Sequence, residues 1–131
     1  MSYTIAEAAS ATALTPDTLR YYERDGLMLQ PVDRSATGHR RYSERDLTWI
    51  QLITCLRGTG MPIRDVRRYA ELVRQGEGNE QARLDLLRAH RARVLAQLAE
   101  VQEHLGAIDR KIGIYTEKVG PALDLERAPT V

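Results

Sequence analysis

Apolar residues recur at steps of three and four along most of this chain, and the breaks in that rhythm divide it into short helices followed by one long one. Tyr3 starts a brief strand. Thr4-Ile5-Ala6-Glu7 then forms a capping box, in which threonine and glutamate each satisfy the other's backbone N–H, and opens a helix to about Ala11 with Ile5, Ala8 and Ala9 as its packing side. Thr15 caps a second helix, Pro16 fits its first position because that N–H would be unpaired anyway, and Gly26 stops it. Along this helix Asp17, Arg20, Tyr21 and Arg24 share one face, while Leu19 and Tyr22 point elsewhere.

From Leu27 to Tyr42 the helical period disappears. Pro31, Gly38 and the polar run Asp33-Arg34-Ser35-Ala36-Thr37 predict a two-stranded ribbon with a loop. Ser43-Glu44-Arg45-Asp46 repeats the capping logic and opens a helix ended by Gly58 and Gly60, with Trp49, Leu52, Ile53 and Leu56 as its stripe. Met61-Pro62 starts another, with Ile63, Val66, Ala70 and Val73 on one side. Arg64, Arg67, Arg68 and Arg74 fall off that stripe and read as ordinary surface, with Arg64 in reach of a phosphate.

Gln75-Gly76-Glu77-Gly78-Asn79 is the internal boundary. Beyond it Leu84, Arg91, Leu98, Leu105, Ile112 and Val119 alternate with Leu87, Val94, Val101, Ile108 and Tyr115, a strict heptad pattern in which only Arg91 is polar. A helix of about forty residues is roughly 60 Å long and cannot bury such a seam alone, so a homodimer is expected. Gly120-Pro121 ends the helix.

Composition changes this picture little. A net charge of +1 makes no global case for nucleic acid, so any such case rests on local clustering. Apart from Lys111 and Lys118 every basic residue is arginine, and phenylalanine is absent. No apolar run is long enough to span a bilayer and no leader is visible, which predicts a cytoplasmic protein without membrane association. One cysteine forms no internal disulfide and no site needing two thiolates.

The clustering is local and dense. A short turn joins the first two helices, the spacing of a helix-turn-helix, and the Arg20-Tyr21 face follows as the candidate DNA-reading surface, since guanidinium forks match phosphates and guanine edges. Arg34, His39, Arg40, Arg41 and Tyr42 crowd the ribbon, where neutralising phosphates releases counterions. The competing readings are a solvated helix face, a plain helical bundle and a solvated basic hairpin.

Thr18-Leu19-Arg20-Tyr21-Tyr22-Glu23, then Gly26-Leu27, Pro31 and Gly38-His39-Arg40-Arg41-Tyr42-Ser43 closely resemble the signature of the MerR family of bacterial transcription regulators. The resemblance implies a mainly α protein: a winged helix-turn-helix DNA-binding domain over 1–75, a linker and coiled-coil dimerisation helix over 76–120, and a short flexible tail over 121–131. It also implies an antiparallel dimer on a palindromic operator in double-stranded promoter DNA, activation by distorting that DNA, and RNA polymerase as a partner. Carried over by position, Arg20 and Tyr21 contact DNA from the recognition helix and Arg40, Arg41 and Tyr42 from the wing. Thr15, Asp17, Thr18, Arg34 and His39 complete the candidate set.

The signal is a separate matter. Metal-responsive relatives use cysteines at the start of the dimerisation helix and in a loop after it, and this chain has none there. His90 and His104 lie two heptads apart on one flank, too distant to chelate one ion, and read as exposed coiled-coil residues. Neither metal nor cofactor is expected. No separate ligand-binding domain fits in the residues that remain. Cys55 sits at the boundary of the core by its helical angle, with Arg57 and the following helix's N-terminus placed to favour a thiolate. The segment Cys55 to Pro62 resembles that of relatives implicated in responses to reactive aldehydes and thiol stress, so Cys55 is the effector-sensing candidate. The alternatives are a purely structural Cys55 and a regulator with a non-covalent effector or none. An enzyme lacks support, because no histidine in its own stretch serves Cys55 as a base. A coiled-coil adaptor leaves the arginine-tyrosine helix and basic ribbon without a purpose.

Overall fold

In the computed structural model residues 2–120 are described, and the predicted tail over 121–131 lies outside them. In chain order the elements are β1 (Ser2–Tyr3), α1 (Ile5–Thr12), α2 (Pro16–Arg24), β2 (Asp33–Arg34), β3 (Arg40–Ser43), α3 (Glu44–Gly58), α4 (Ile63–Arg74) and α5 (Glu80–Val119). Both predicted capping boxes form. The Glu7 amide donates to Thr4 Oγ1 at 3.1 Å while the Thr4 amide donates to Glu7 at 2.8 Å, and Ser43 with Asp46 repeats this at the head of α3. The turn after α1 is made by Ala13 in the left-handed region at φ 57°, which delivers the chain to Thr15 and α2.

The sheet has three antiparallel strands in the order β1-β3-β2, with Tyr3 opposite Tyr42 and Arg34 opposite Arg40. This corrects the two-stranded ribbon. The N-terminal strand completes it, and Leu27, Met28 and Val32 pack into the core from a loop instead of pairing.

Leu19 and Tyr22 of α2 are buried as predicted, against a core that includes Ala8, Leu27, Ile50, Ile53, Met61, Val66 and Ala70. Trp49 stacks flat on Tyr69, ring centroids 5.8 Å apart. Helix α3 buries a wider arc than its predicted stripe, taking in Leu47 and Ile50 and leaving Leu52 half-buried. A helix packed on several sides has no single stripe to read.

The chain forms two compact units, Met1–Arg91 and the segment from Ala92. In the first, Leu86 and Leu87 of α5 pack on the core. His90 is 5% exposed, with Nε2 2.7 Å from Thr59 Oγ1. The expected exposed histidine is therefore a buried one, because the opening turns of α5 pack on the core through Leu86 and Leu87, one turn before it. His104 is exposed. In the second unit Leu98, Val101, Leu105, Ile108, Ile112, Tyr115 and Val119 are each 50% to 62% exposed within the single chain.

Candidate nucleic-acid interface

Helix α2 is oriented by its apolar side. With Leu19 and Tyr22 buried, Asp17 is fully outward and Arg20 and Tyr21 are half-buried beside it. Thr15 caps the helix by accepting the Thr18 amide at 3.2 Å, and the two threonine hydroxyls lie 2.9 Å apart. Arg20 Nη1 donates to Asp17 Oδ1 at 2.7 Å, an exposed pair one turn apart that orients the guanidinium at little energetic gain. Tyr21 packs tilted against Tyr22, and the Tyr22 hydroxyl lies 3.3 Å from Thr54 Oγ1 on α3.

The wing is built around Glu23. Its Oε1 accepts from Arg40 Nε at 2.7 Å and lies 3.5 Å from Arg34 Nη2, and its Oε2 accepts the Val32 amide at 3.1 Å. One carboxylate on the last turn of α2 thus fixes two wing arginines and the backbone that leads into β2. Burial pushes the Glu23 carboxyl up, but the Arg40 and Val32 hydrogen bonds and the two guanidinium charges outweigh it and hold its pKa below the ordinary value. Arg41 turns the other way and donates to Ser2 Oγ at 2.9 Å, tying β3 to β1. At the wing tip the Gly38 amide returns to Ser35, Thr37 Oγ1 lies 2.9 Å from His39 Nδ1, and His39 stands exposed.

Thr4, Ile5, Arg20, Arg34, Gly38, His39 and Arg40 line a cleft of about 210 Å³ between the first two helices and the wing. The folding therefore brings Arg20 of α2 together with Arg34 and Arg40 of the ribbon on one face, though they are distant in sequence. Tyr42 does not join them. It is fully buried, and its hydroxyl has no hydrogen-bond partner among the described residues; burial pushes its pKa up. The expectation of Tyr42 as a DNA contact is corrected: as folded, its ring supports the wing from below. Glu23 is a functional residue that the sequence reading misses. An acid at the end of the reading helix, ahead of an arginine-rich ribbon, is the signal that marks it.

Cys55 is exposed on the last turn of α3 and not at the core boundary. Arg57, expected beside it, donates instead to the Met61 carbonyl at 2.7 Å. Among the described residues there is no group of three or more His, Cys, Asp or Glu able to hold a metal ion, and no helix long and apolar enough to cross a membrane.

A recognition helix flanked by an arginine-bearing wing on one basic face defines a winged helix-turn-helix DNA-binding protein. The family described as MerR HTH family regulatory protein matches residues 3–72, and that described as MerR, DNA binding matches residues 47–110. The chain belongs to the MerR family of DNA-binding transcription regulators. It is 36% identical over 115 residues to an uncharacterized HTH-type transcriptional regulator of Haemophilus influenzae, covering 88% of this chain and 84% of that one. It is 41% identical over 91 residues to the HTH-type transcriptional regulator AdhR of Bacillus subtilis, covering 70% and 64%. Among solved structures it resembles HiNmlR, a MerR family regulator lacking the sensor domain and bound to promoter DNA, with a TM-score of 0.82 at 36% identity over 88% of this chain and 86% of that one. A MerR family transcriptional regulator from Listeria monocytogenes gives a TM-score of 0.80 at 35% identity, covering 86% and 85%.

Proposed function

We propose that this regulator acts in the cytoplasm as a homodimer on a palindromic operator, distorts the promoter DNA to position it for RNA polymerase, and responds to an electrophile at Cys55. The observation that carries the DNA reading is the convergence of Arg20, Arg34, His39 and Arg40 on one cleft beside a helix whose other side is locked in the core. Recognition-helix groups read base edges while wing cations neutralise phosphates. Thr15, Asp17 and Thr18 at the N-terminus of α2 complete the surface, and Arg41 adds a cation on the β1 side of the wing. The apolar residues of α5 exposed in the single chain supply the dimer seam.

The exposure of Cys55 favours sensing over a packing role, since a structural cysteine is ordinarily buried. Its carbonyl accepts from Thr59 Oγ1 at 2.9 Å, and that hydroxyl also meets His90, so the end of α3 is tied to the start of α5. In the proposed step the Cys55 thiolate adds to an aldehyde carbon: the S–C bond forms, the C=O π pair moves to oxygen, and that oxygen takes a proton. The resemblance of the Cys55 to Pro62 segment to relatives implicated in responses to reactive aldehydes and thiol stress supports this reading.

Two measurements test these readings separately. Titration of mixed-sequence and palindromic duplexes across a salt series is expected to show a palindrome preference that persists as salt rises; equal binding at every salt returns the chain to an adaptor role. In a promoter reporter challenged with aldehyde, Cys55→Ser is expected to abolish induction while leaving operator binding in place. Full induction in that variant excludes the thiol.

A further inference from the structure

Four consecutive carbonyl oxygens follow the recognition helix, and each is taken by a side chain from α3 or α4. Asp25 O accepts from Arg67 Nε at 3.2 Å, Gly26 O from Arg74 Nη2, and Leu27 O from Trp49 Nε1 at 2.7 Å. Met28 O accepts twice from Arg74, from Nη2 at 2.7 Å and Nε at 3.2 Å. Arg67 Nη2 also donates to Asp25 Oδ2 at 2.8 Å, and Arg74 Nη1 to Glu71 at 2.9 Å. The carbonyls past a helix end are ordinarily left to water or local turns. Here cations hold three of the four where the helix dipole favours positive charge, and the guanidinium fork fixes direction as well as distance.

The two ends of α2 are therefore held differently. Its first turn is satisfied by its own residues, Thr15 with Thr18 and Asp17 with Arg20. Its last-turn carbonyls at Tyr21, Tyr22 and Glu23 accept the amides of Asp25, Leu27 and Gly26, and the chain that leaves it is held from α4, by two arginines seven residues apart on one face of that helix. These are the arginines that read as ordinary surface in the sequence. A displacement of α4 relative to the core cannot leave the end of α2 behind without breaking several charge-assisted hydrogen bonds at once.

We propose that Arg67 and Arg74 are positioning residues that bolt the C-terminal turn of α2 to α4, so that movement of α4 re-aims Arg20 and Tyr21 on the DNA. This rests on the reading of the chain as a DNA-distorting regulator. Neither guanidinium belongs to the DNA face; both act through the helix they hold.

The test uses the full chain and a duplex spanning the wild-type footprint, with 2-aminopurine at its centre to report unstacking. Arg74→Gln, Arg74→Lys and Arg67→Gln are compared with wild type for affinity, for the salt dependence of binding, and for fluorescence at saturating protein. Affinity is expected to fall roughly two- to thirtyfold in the Gln variants, with the salt slope unchanged because no phosphate contact is lost. The central fluorescence change at saturation is expected to drop in both, with Arg74→Lys intermediate. A purely structural role lowers the active fraction but leaves the saturated signal at the wild-type level, and that result overturns the proposal. A salt slope reduced by about one also overturns it, since the arginine then touches phosphate. Should Arg74→Gln fail to unfold cooperatively, Arg67→Gln decides, its side chain being 47% exposed and so less bound up with folding. If wild type itself shows no binding or no central signal, the regulator reading fails first and is distinguished from failure of the bolt.

Discussion

At the scale of single residues, Glu23 has the sharpest consequence. Its carboxylate is a negative charge beside the arginines that face the proposed DNA, and removing such a charge ordinarily strengthens binding to a polyanion. Because Glu23 fixes Arg40, Arg34 and the Val32 amide, Glu23→Gln is expected to do the reverse, weakening operator binding while lowering stability by roughly 1–3 kcal/mol in urea titrations. Stronger binding in the variant rejects the anchoring role. The pH dependence follows from the depressed pKa. The stabilisation is complete above the unfolded glutamate's ordinary value of 4.5 and is lost as pH falls through the lower folded-state value. Wild type is therefore expected to lose more stability than Glu23→Gln on acidification below pH 4.5, measurable as converging unfolding midpoints. Residue type alone marked the basic side chains of the site but not which of them face outward. Arg40 and Arg41 adjoin in sequence yet one bonds Glu23 and the other Ser2, and Tyr42 turns fully inward.

Among the elements, the junction of α3 with α5 is where the exposed-coil expectation and the structure part most clearly. Thr59 Oγ1 lies 2.9 Å from the Cys55 carbonyl and 2.7 Å from His90 Nε2, and the buried His90 Nδ1 has no hydrogen-bond partner among the described residues. An exposed coiled-coil histidine can be truncated at a cost within about 0.5 kcal/mol. His90→Ala is expected instead to cost roughly 1–3 kcal/mol in urea titrations, from a lost hydrogen bond and a small void. His104→Ala is the exposed control on the same helix and is expected to be nearly neutral. Helix starts were legible because a cap is local chemistry. The pairing of β1 with β3 was not, because it joins residues about forty positions apart and no short-range pattern encodes it.

For the whole molecule, α5 leaves seven large apolar side chains, Leu98 to Val119, at least half exposed in the single chain. Charging the middle of that stripe tests whether a second copy covers it. Leu105→Lys is expected to give a monomer in analytical ultracentrifugation and to weaken operator binding on the order of a hundredfold or more, since two linked half-site contacts become one. Retained dimer and retained affinity together place the dimer contact elsewhere. The N-terminal unit should keep its own unfolding transition in this variant, because Leu105 lies in the other unit.

Periodicity, caps and breakers by themselves determined the order of the helices, the buried side of α2 and the heptad seam, because each is set by neighbours within a few residues. Only the tertiary structure decided which polar groups meet: Glu23 under the wing, Arg67 and Arg74 on the carbonyls after α2, and Thr59 against His90. Arg40 and Glu23, His90 and Thr59, and the two arginines and their carbonyls lie 17 to 48 residues apart in sequence, and a long side chain that reads as solvated carries no local mark of the distant carbonyl or carboxylate it will find.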